Sequence, residues 1–320
     1  MQSKTKSWLL AATLLVVAGL AFFALVMQVN GWDFSKLGTG EYELNTYEIS
    51  EEFSSLSLDT DTADIIFVLS QDGKCKVECF EEVKAKHSVT VEEDTLSIQN
   101  VDERTLMDRI GIFYESPKIT VHLPKTQYKA LLVQESTGGV TIPQDFTFDT
   151  VTISVDTGAV SFSAFSSGQV KIKTSTGAIR LENTSAESFD LTVSTGKVTV
   201  SNVTCQGDMN VRVSTGKTVL TDVTCKNLTS NGSTGDITLD QVVAAETLSV
   251  ERSTGDVAFK NADAQNIFVK TDTGDVTGSL LTGKSFDVET DTGSVSVPKG
   301  LTGGTCQITT DTGDIKITIP

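Results

Sequence analysis

Apolar and polar residues alternate on both sides of a Thr-Gly pair that recurs along the C-terminal two-thirds of the chain. The residue five positions before each glycine is apolar in nine of ten copies, with Ser230 as the exception. The residue two positions after it is also apolar in nine of ten, with Thr218 as the exception. A period of two is typical of strands with one buried face. Each copy therefore predicts a strand, a tight turn and a second strand, with Ile172, Leu191 and Val211 in one buried column.

The Thr-Gly pair repeats at a pitch of 19 or 20 residues. Such a unit is too short for a strand–helix–strand crossover, so it predicts an all-β, single-stranded parallel β-solenoid (β-helix) whose coils stack about 4.8 Å apart. Glycine suits the turns because it adopts a positive φ angle without steric cost. The predicted structural turn glycines are Gly138, Gly158, Gly177, Gly196, Gly216, Gly235, Gly255, Gly274, Gly293 and Gly313.

Residues 41–130 lack this pitch but still contain several alternating segments. We interpret them as a β-rich N-terminal cap that leads into solenoid repeats at 131–320, because solenoids need atypical ends to cover their strand edges. Within the cap, Asp61-Thr62-Ala63-Asp64 resembles a decayed copy of the turn. At the other end the chain stops after a complete turn and strand, so we expect the last coil in the sequence to be the exposed edge.

The N-terminal segment contains 22 uncharged, mostly apolar residues, Trp8–Val29. As a helix they reach roughly 33 Å, enough to cross a bilayer. Lys4 and Lys6 precede the span, so the positive-inside rule places residues 1–7 in the cytosol and everything after the span outside, beginning with a linker at 30–40. A transmembrane signal-anchor is the favoured interpretation, and a signal peptide that is cleaved to release a secreted protein is the alternative.

The chain carries 42 acidic and 25 basic residues, a net charge of −17. Such a surface repels phosphate backbones and anionic headgroups, so nucleic acid is not expected as a partner. The five cysteines do not form the even, dense set of a disulfide framework. Cys205 and Cys225 occupy equivalent positions in adjacent repeats, where either a buried thiol pair or a disulfide is possible.

Three stretches carry a resemblance to a known family: "FSSLSLDTDTADIIFV", then "PKITVHLPK", then serial "STGDI"-like turns. Together they resemble the bacterial cell-surface β-strand-repeat family, which is described as adhesin-like. The resemblance covers most of the chain after residue 45. It implies an envelope-associated solenoid that is held by one span or a lipid, and it supplies no catalytic residue.

The tripeptide Asp156-Thr157-Gly158 matches the motif that presents the catalytic aspartate of aspartic proteases. That chemistry needs two carboxylates that share a proton, each from its own lobe. In other repeats serine replaces the aspartate, as at Ser175 and Ser194, and both residue types bond nearby backbone N–H groups in turns. We therefore interpret the motif as part of the architecture.

Acidic residues fall beside the turns of the last repeats. Stacked carboxylates about 4.8 Å apart repel one another, and calcium could offset that cost because it favours clustered oxygen ligands. Splayed side chains and solvent could relieve it equally well. The calcium candidates are Asp272, Asp275, Asp291, Asp311 and Asp314, and no other cofactor is expected.

The two histidines, His87 and His122, both lie in the predicted cap. Two histidines are a sparse basis for a catalytic triad or a zinc site, so we expect hydrogen-bonded structural roles for them.

These patterns favour a single-pass membrane protein with an acidic extracytoplasmic solenoid. The predicted function is non-catalytic: binding an unknown surface ligand, adhesin-like, or scaffolding the envelope. A β-helical carbohydrate-active enzyme is the runner-up, although the repeats contain no tryptophan or tyrosine to stack on sugars. The ectodomain of an envelope-stress sensor is a third possibility.

Overall fold

The computed structural model describes residues 2–29, 31–32, 40–106, 108 and 115–320. It is 70% strand and forms a β-solenoid of about ten turns behind one N-terminal helix. The fold class that the repeat predicts is confirmed. All the strands join in one sheet that winds around a continuous apolar core.

Helix α1 covers Gln2–Val29. Its segment Trp8–Val29 has a mean hydropathy of 2.7, and its side chains are exposed except for Val26 and Met27. Length and composition suit a membrane crossing, either as an anchor or as a signal sequence.

The N-terminal strands are β1 (Tyr42–Ile49), β2 (Ser55–Thr62), β3 (Asp64–Leu69), β4 (Cys75–Glu82), β5 (Ala85–Glu92), β6 (Thr95–Asp102) and β7 (Lys118–Leu123). Strands β2 and β3 form the first coil, with β6 and β7 lying parallel to them on the outer side. Beyond these, β4 and β5 form an antiparallel hairpin against β7 and β6, and β1 pairs with β4. Antiparallel strands thus close this end of the core.

The first turn of the stack is Asp61–Asp64, where Thr62 pairs in register with Thr137. Parallel stacking therefore begins at β2, within the range that the sequence assigned to the cap. The proposed decayed copy of the turn does occupy a turn position. Ala63 stands there in place of glycine, and its carbonyl oxygen would lie 2.0 Å from a Cβ atom on Gly138 of the next coil.

The remaining strands form the successive coils. They are β8 (Gln127–Thr137), β9 (Val140–Ile142), β10 (Thr147–Thr157), β11 (Val160–Phe162), β12 (Phe165–Ser166), β13 (Gln169–Ala186), β14 (Ser188–Cys205), β15 (Asp208–Thr234), β16 (Ile237–Thr254), β17 (Val257–Thr273), β18 (Val276–Leu280), β19 (Lys284–Thr292), β20 (Val295–Ser296), β21 (Gly304–Thr312) and β22 (Ile315–Thr318).

Each regular coil has three short walls, as β13 illustrates. Ile172 points inward before the Thr-Gly turn, Leu181 after it and Ala186 on the third wall, and all three are buried. Ile172 pairs with Leu191 and Leu191 with Val211, so the predicted buried column exists. Burying a valine, leucine or isoleucine side chain contributes roughly 1.5–3 kcal/mol, and the column repeats this gain in each coil that has such a residue there.

A second turn separates the second and third walls. Its corner residue, six positions after the turn glycine, has a left-handed φ of 51–54° in five consecutive coils: Asn183, Asn202, Asp222, Gln241 and Asn261. Asparagine and aspartate tolerate this region better than most residues do, and Asn202 Nδ2 donates to Asn183 Oδ1 at 2.8 Å. The constant spacing of this polar column is visible in the sequence, but the apolar repeat does not predict its left-handed backbone.

The last coils do not stack in the order of the sequence. Strand β17 pairs with β21, and β21 pairs in turn with β19. Likewise β22 lies between β18 and β20. The chain skips one position, forms the outermost coil with β19 and β20, and returns to fill the gap with β21 and β22.

This crossover corrects the expectation that the final coil of the sequence is the exposed edge. That coil is internal, and the edge is formed by β19 and β20. Leu281 lies seven positions after its turn glycine, as the buried Val203 and Val223 do, but it is 46% exposed, and Leu280 is buried instead. The reason is a register shift: β18 has one residue fewer than β17 between the pairs Phe259–Gly278 and Ala262–Leu280, so Leu280 aligns with the buried Ala262.

Candidate functional site

The ten turn glycines stand in one column where the backbones of adjacent coils nearly touch. Their φ angles lie between 128° and 155°. A Cβ atom on Gly196 would lie 1.6 Å from the carbonyl oxygen of Gly177, and Gly216 stands in the same relation to Gly196. Close approach, in addition to the φ angle, therefore demands glycine.

The residue after the turn glycine forms a ladder of backbone contacts in the last coils. Asp256 N–H donates to Asp236 Oδ1 at 3.1 Å, Asp275 N–H to Asp256 Oδ1 at 2.9 Å, and Asp314 N–H to Asp275 Oδ1 at 2.7 Å. Ser294 N–H then donates to Asp314 Oδ1 at 2.7 Å. The ladder follows the spatial order of the coils.

These hydrogen bonds bear on two of the predicted calcium ligands, Asp275 and Asp314. Each carboxylate accepts a backbone N–H from the next coil, Asp275 from Asp314 and Asp314 from Ser294, and such charge-assisted hydrogen bonds offset part of the repulsion between neighbours. Hydrogen bonds from Ser294 lower the pKa of Asp314. Asp272, Asp311 and Asp291 follow one another across the same corner, in that spatial order. Calcium binding by these residues stays a prediction.

The protease-like motif lies on an ordinary coil. Asp156 is exposed, and the hydroxyl of Ser175 in the next coil donates to its Oδ1 at 3.5 Å. This contact is a weak turn interaction of the kind expected where serine and aspartate interchange.

Cysteines in the described residues are all free and buried: Cys75, Cys79, Cys205, Cys225 and Cys306. Thr204 pairs with Thr224, which places Cys205 and Cys225 on adjacent coils as an unbridged thiol pair. Burial raises the pKa of Cys225 to about 12. Such a thiol is a poor nucleophile at neutral pH.

An open cavity lies at one corner of the first coils. It has a volume of about 1090 Å³ and is formed by residues 48–53, 70–76 and 122–128. We call it the corner pocket. Its inner wall includes the fully buried Tyr128, which stacks on Phe53 with ring centroids 6.1 Å apart. The pocket joins three inter-strand connections, where binding residues commonly lie.

Acidic side chains dominate the rim of the corner pocket. Glu48, Glu51, Glu52 and Asp72 line it, against two lysines. One of these, Lys76, is already engaged with Glu78 at 2.7 Å, and that carboxylate also contacts His122 Nε2 at 3.2 Å. The rim therefore presents a net negative field to an entering ligand.

His87 lies elsewhere, inside the antiparallel end of the core. Its Nδ1 is 2.7 Å from Glu81 Oε2, and both side chains are buried. Cys79 lies beside them. Cys79 and Glu81 are two residues apart in the sequence, so they share one face of β4. Their proximity to His87 depends on how β4 and β5 fold together, which the alternation of residues does not predict.

Comparison with known proteins identifies the family. The profile of the Toastrack DUF4097 family matches residues 53–217 and 244–320, more than half of the chain. The chain belongs to the Toastrack DUF4097 family. This membership confirms the resemblance to a bacterial β-strand-repeat family. No curated protein matches the chain.

Two of the solved structures similar to this chain come from Parabacteroides species. A putative adhesin from Parabacteroides merdae superposes with a TM-score of 0.52 at 10% identity, covering 75% of this chain and 97% of its own. A putative lipid binding protein from Parabacteroides distasonis has a TM-score of 0.48 at 15% identity, covering 88% of this chain and 98% of its own. At 10% identity the similarity to the adhesin-like structure supports the fold and no shared function. Nothing about this chain is concluded from the second structure.

Proposed function

We propose that this Toastrack protein is a non-catalytic binding protein of the cell surface, held at the membrane by Trp8–Val29 with its solenoid outside. The observation that carries the proposal is the corner pocket, an open site of about 1090 Å³ with an acidic rim at the end of a rigid solenoid. Family membership and the apolar helix support it.

The rim favours a ligand that carries positive charge, such as a basic segment of another surface protein. Four carboxylates face two lysines around an opening that is large enough for several side chains. Charges of one sign around a cleft raise the local concentration of oppositely charged ligands and accelerate association. Phe53, which is partly exposed and stacks on the buried Tyr128, offers apolar contact area beneath the rim.

Binding of a labelled lysine-rich peptide to the detergent-solubilised chain tests this proposal, with glutamate-rich and neutral peptides of equal length for comparison. We expect saturable binding of the basic peptide that weakens with salt and falls in the Glu51→Gln/Glu52→Gln variant. Glu187→Gln/Glu251→Gln is the matched control because it also removes two acids, both exposed on coils outside the pocket. Equal loss in this control would reduce the effect to net charge and contradict a pocket.

Membrane attachment is tested separately. An uncleaved anchor predicts that the mature protein retains residues 1–29 and stays with membranes after a high-salt wash. External protease should then degrade the solenoid in intact cells whose outer layers have been made permeable. N-terminal sequencing that begins near residue 30, with soluble protein, would instead establish a cleaved signal peptide.

A further inference from the structure

Two strands of the N-terminal hairpin bring a thiol, a carboxylate and an imidazole together inside the core. Cys79 and Glu81 lie on the inward face of β4, and His87 lies on β5. One ligand atom from each residue lies within 4.8 Å of the other two. It is the single group of three or more such ligands that we find in the described ranges.

Burial makes this group unlike an acidic surface cluster. Cys79 and Glu81 have no exposed surface, and His87 is 4% exposed. Glu81 is oriented from two sides: Asn45 Nδ2 donates to Oε1 at 2.7 Å, and His87 N–H donates to Oε2 at 2.7 Å. A carboxylate that is fixed in this way by second partners is typical of a ligand in a built site.

His87 supplies a second, independent observation. Its Nδ1 contacts Glu81, but its Nε2 is buried and has no hydrogen-bond partner among the described residues. A buried polar atom without a partner costs roughly 1–3 kcal/mol, so native proteins rarely keep one without a purpose. If the imidazole ring of His87 rotates or shifts slightly, its Nε2 can coordinate an ion and so gain the partner that it otherwise lacks.

We propose that Cys79, Glu81 and His87 bind a divalent transition-metal ion of the zinc type, which clamps β4 to β5 and closes the N-terminal end of the solenoid. Ligands around a tetrahedral zinc ion lie roughly 3.3–3.8 Å apart, so only a small contraction of the group is needed. Three protein ligands leave a fourth position for water.

The donor set selects the class of metal. Thiolate and imidazole favour zinc and related ions, whereas calcium and magnesium take oxygen ligands. Burial and the neighbouring Glu81 raise the pKa of Cys79 to about 12, so the metal-free thiol is protonated. Metal binding therefore releases the thiol proton to solvent and is weakened by acid.

The consequence is mechanical. In the β4–β5 hairpin Glu82 pairs with Ala85 beside the turn. The hydroxyl of Tyr47 on β1 donates a hydrogen bond to His87 O at 3.0 Å. An ion that joins Glu81 to His87 would fix the two strands where they diverge to opposite walls of the core. Metal would then stabilise the end of the solenoid next to the corner pocket.

Cobalt(II) is the probe that tests this site, because a thiolate bound to Co²⁺ gives a charge-transfer absorption in the near ultraviolet. The full chain in detergent, freed of metal with a chelator and kept reduced, is titrated with Co²⁺. We expect this absorption to saturate at one ion per chain and to disappear when Zn²⁺ is added. Absence of the absorption in the folded wild-type chain overturns the proposal.

Cys79→Ser and Cys75→Ser form a matched pair, since both cysteines are buried on β4 and face inward. We expect the absorption to vanish in Cys79→Ser and to persist in Cys75→Ser. Zn²⁺ should raise the melting temperature of the wild type and of Cys75→Ser, and leave that of Cys79→Ser unchanged. Full absorption in Cys79→Ser, or equal loss in both variants, overturns the proposal.

Glu81→Gln covers the case in which Cys79→Ser does not fold. It keeps the volume and every thiol and removes one charged ligand. We expect Co²⁺ affinity to fall at least tenfold while the thiolate absorption per bound ion remains. Unchanged affinity would show that the carboxylate is not a ligand and would overturn the three-residue site.

Discussion

The guanidinium of Arg252 donates from Nη2 to Ser230 Oγ at 2.9 Å inside the solenoid core. Thr218 Oγ1 lies 3.4 Å from the same nitrogen. Ser230 and Thr218 are the two residues that break the apolar pattern of the repeats, and one buried cation explains both. Arg252 is 2% exposed, and burial lowers its pKa to about 10. Gly232 leaves the space, since a Cβ there would lie 2.8 Å from Arg252 Nη1.

Removing one partner from this group should cost more than removing both. We expect Ser230→Val alone to destabilise the protein by about 1–3 kcal/mol, because it leaves the buried guanidinium short of an acceptor. Ser230→Val with Arg252→Val restores the apolar pattern and should recover most of that loss. Denaturant unfolding of the two singles and the double gives the coupling energy. Additive effects would mean that the contact carries no energy.

Glu135 makes stability depend on pH. It is buried beside the first turn, where Ala63 N–H and Thr137 N–H donate to its Oε1 at 3.1 Å. Burial, the largest effect, raises its pKa from 4.5 to about 7. The folded state therefore keeps this proton up to near neutrality, whereas the unfolded state releases it near pH 4.5. This contribution to stability is complete below pH 4.5 and is lost as pH rises through 7.

Comparison with Glu135→Gln isolates that effect, because glutamine keeps the shape and the acceptor but does not titrate. We expect the unfolding free energy of the wild type, relative to the variant, to fall by up to about 3 kcal/mol between pH 4.5 and 8. Other groups titrate equally in both proteins. A difference that stays constant over this range would show that the Glu135 carboxyl is already ionised at low pH.

The turn glycines test close approach against backbone conformation. At Gly196 a Cβ would meet the Gly177 carbonyl oxygen at 1.6 Å, whereas at Gly73, with φ of 74°, it would meet nothing within 4 Å. We expect Gly73→Ala to cost about 1–2 kcal/mol through φ alone. Gly196→Ala should cost clearly more and expose the adjacent coils to limited proteolysis. Equal costs would mean that the coils separate easily at this corner.

Most of the fold follows from residues whose effect is local. A constant offset from each glycine places Ile172 and Leu191 in one column, because a strand alternates its faces and the pitch fixes the register. The stacking order of the last coils cannot be predicted from these local residues, because every repeat presents the same backbone hydrogen-bonding groups to its neighbour. The local sequence therefore cannot distinguish a coil that stacks next in line from one that skips a position.

Specific contacts decide that order. Lys284 Nζ lies 2.6 Å from Asp263 Oδ1 and 2.7 Å from Thr282 Oγ1, with the lysine side chain 4% exposed. This buried ion pair links the start of β19 to β17, although the neighbour of β19 in the sheet is β21. The candidate sites were hidden for a similar reason: Cys79 and His87 come together only through the hairpin, and the corner pocket only through three separate connections.

Because of the crossover, the charges that guard the solenoid's open edge lie on β19. Asp287, Glu289 and Asp291 are exposed along that strand. Phe286 and Val288 alternate with them on the opposite face and are only partly buried against the core. An edge strand with apolar side chains invites pairing, and like charges on both copies oppose it. Asp311 and Asp314 belong to the internal coil.

We expect Asp287→Asn/Glu289→Gln/Asp291→Asn to associate end to end at low salt, where exposed charges are least screened. Asp311→Asn/Asp314→Asn is the control, since it also removes acids from this end but leaves the edge strand unchanged, and it should stay monomeric. Sedimentation velocity of the detergent-solubilised proteins separates the two outcomes. If the control associates as readily as the edge variant, then net charge governs assembly and not the position of the acids on β19. The assignment of β19 as the edge would then have no consequence in solution.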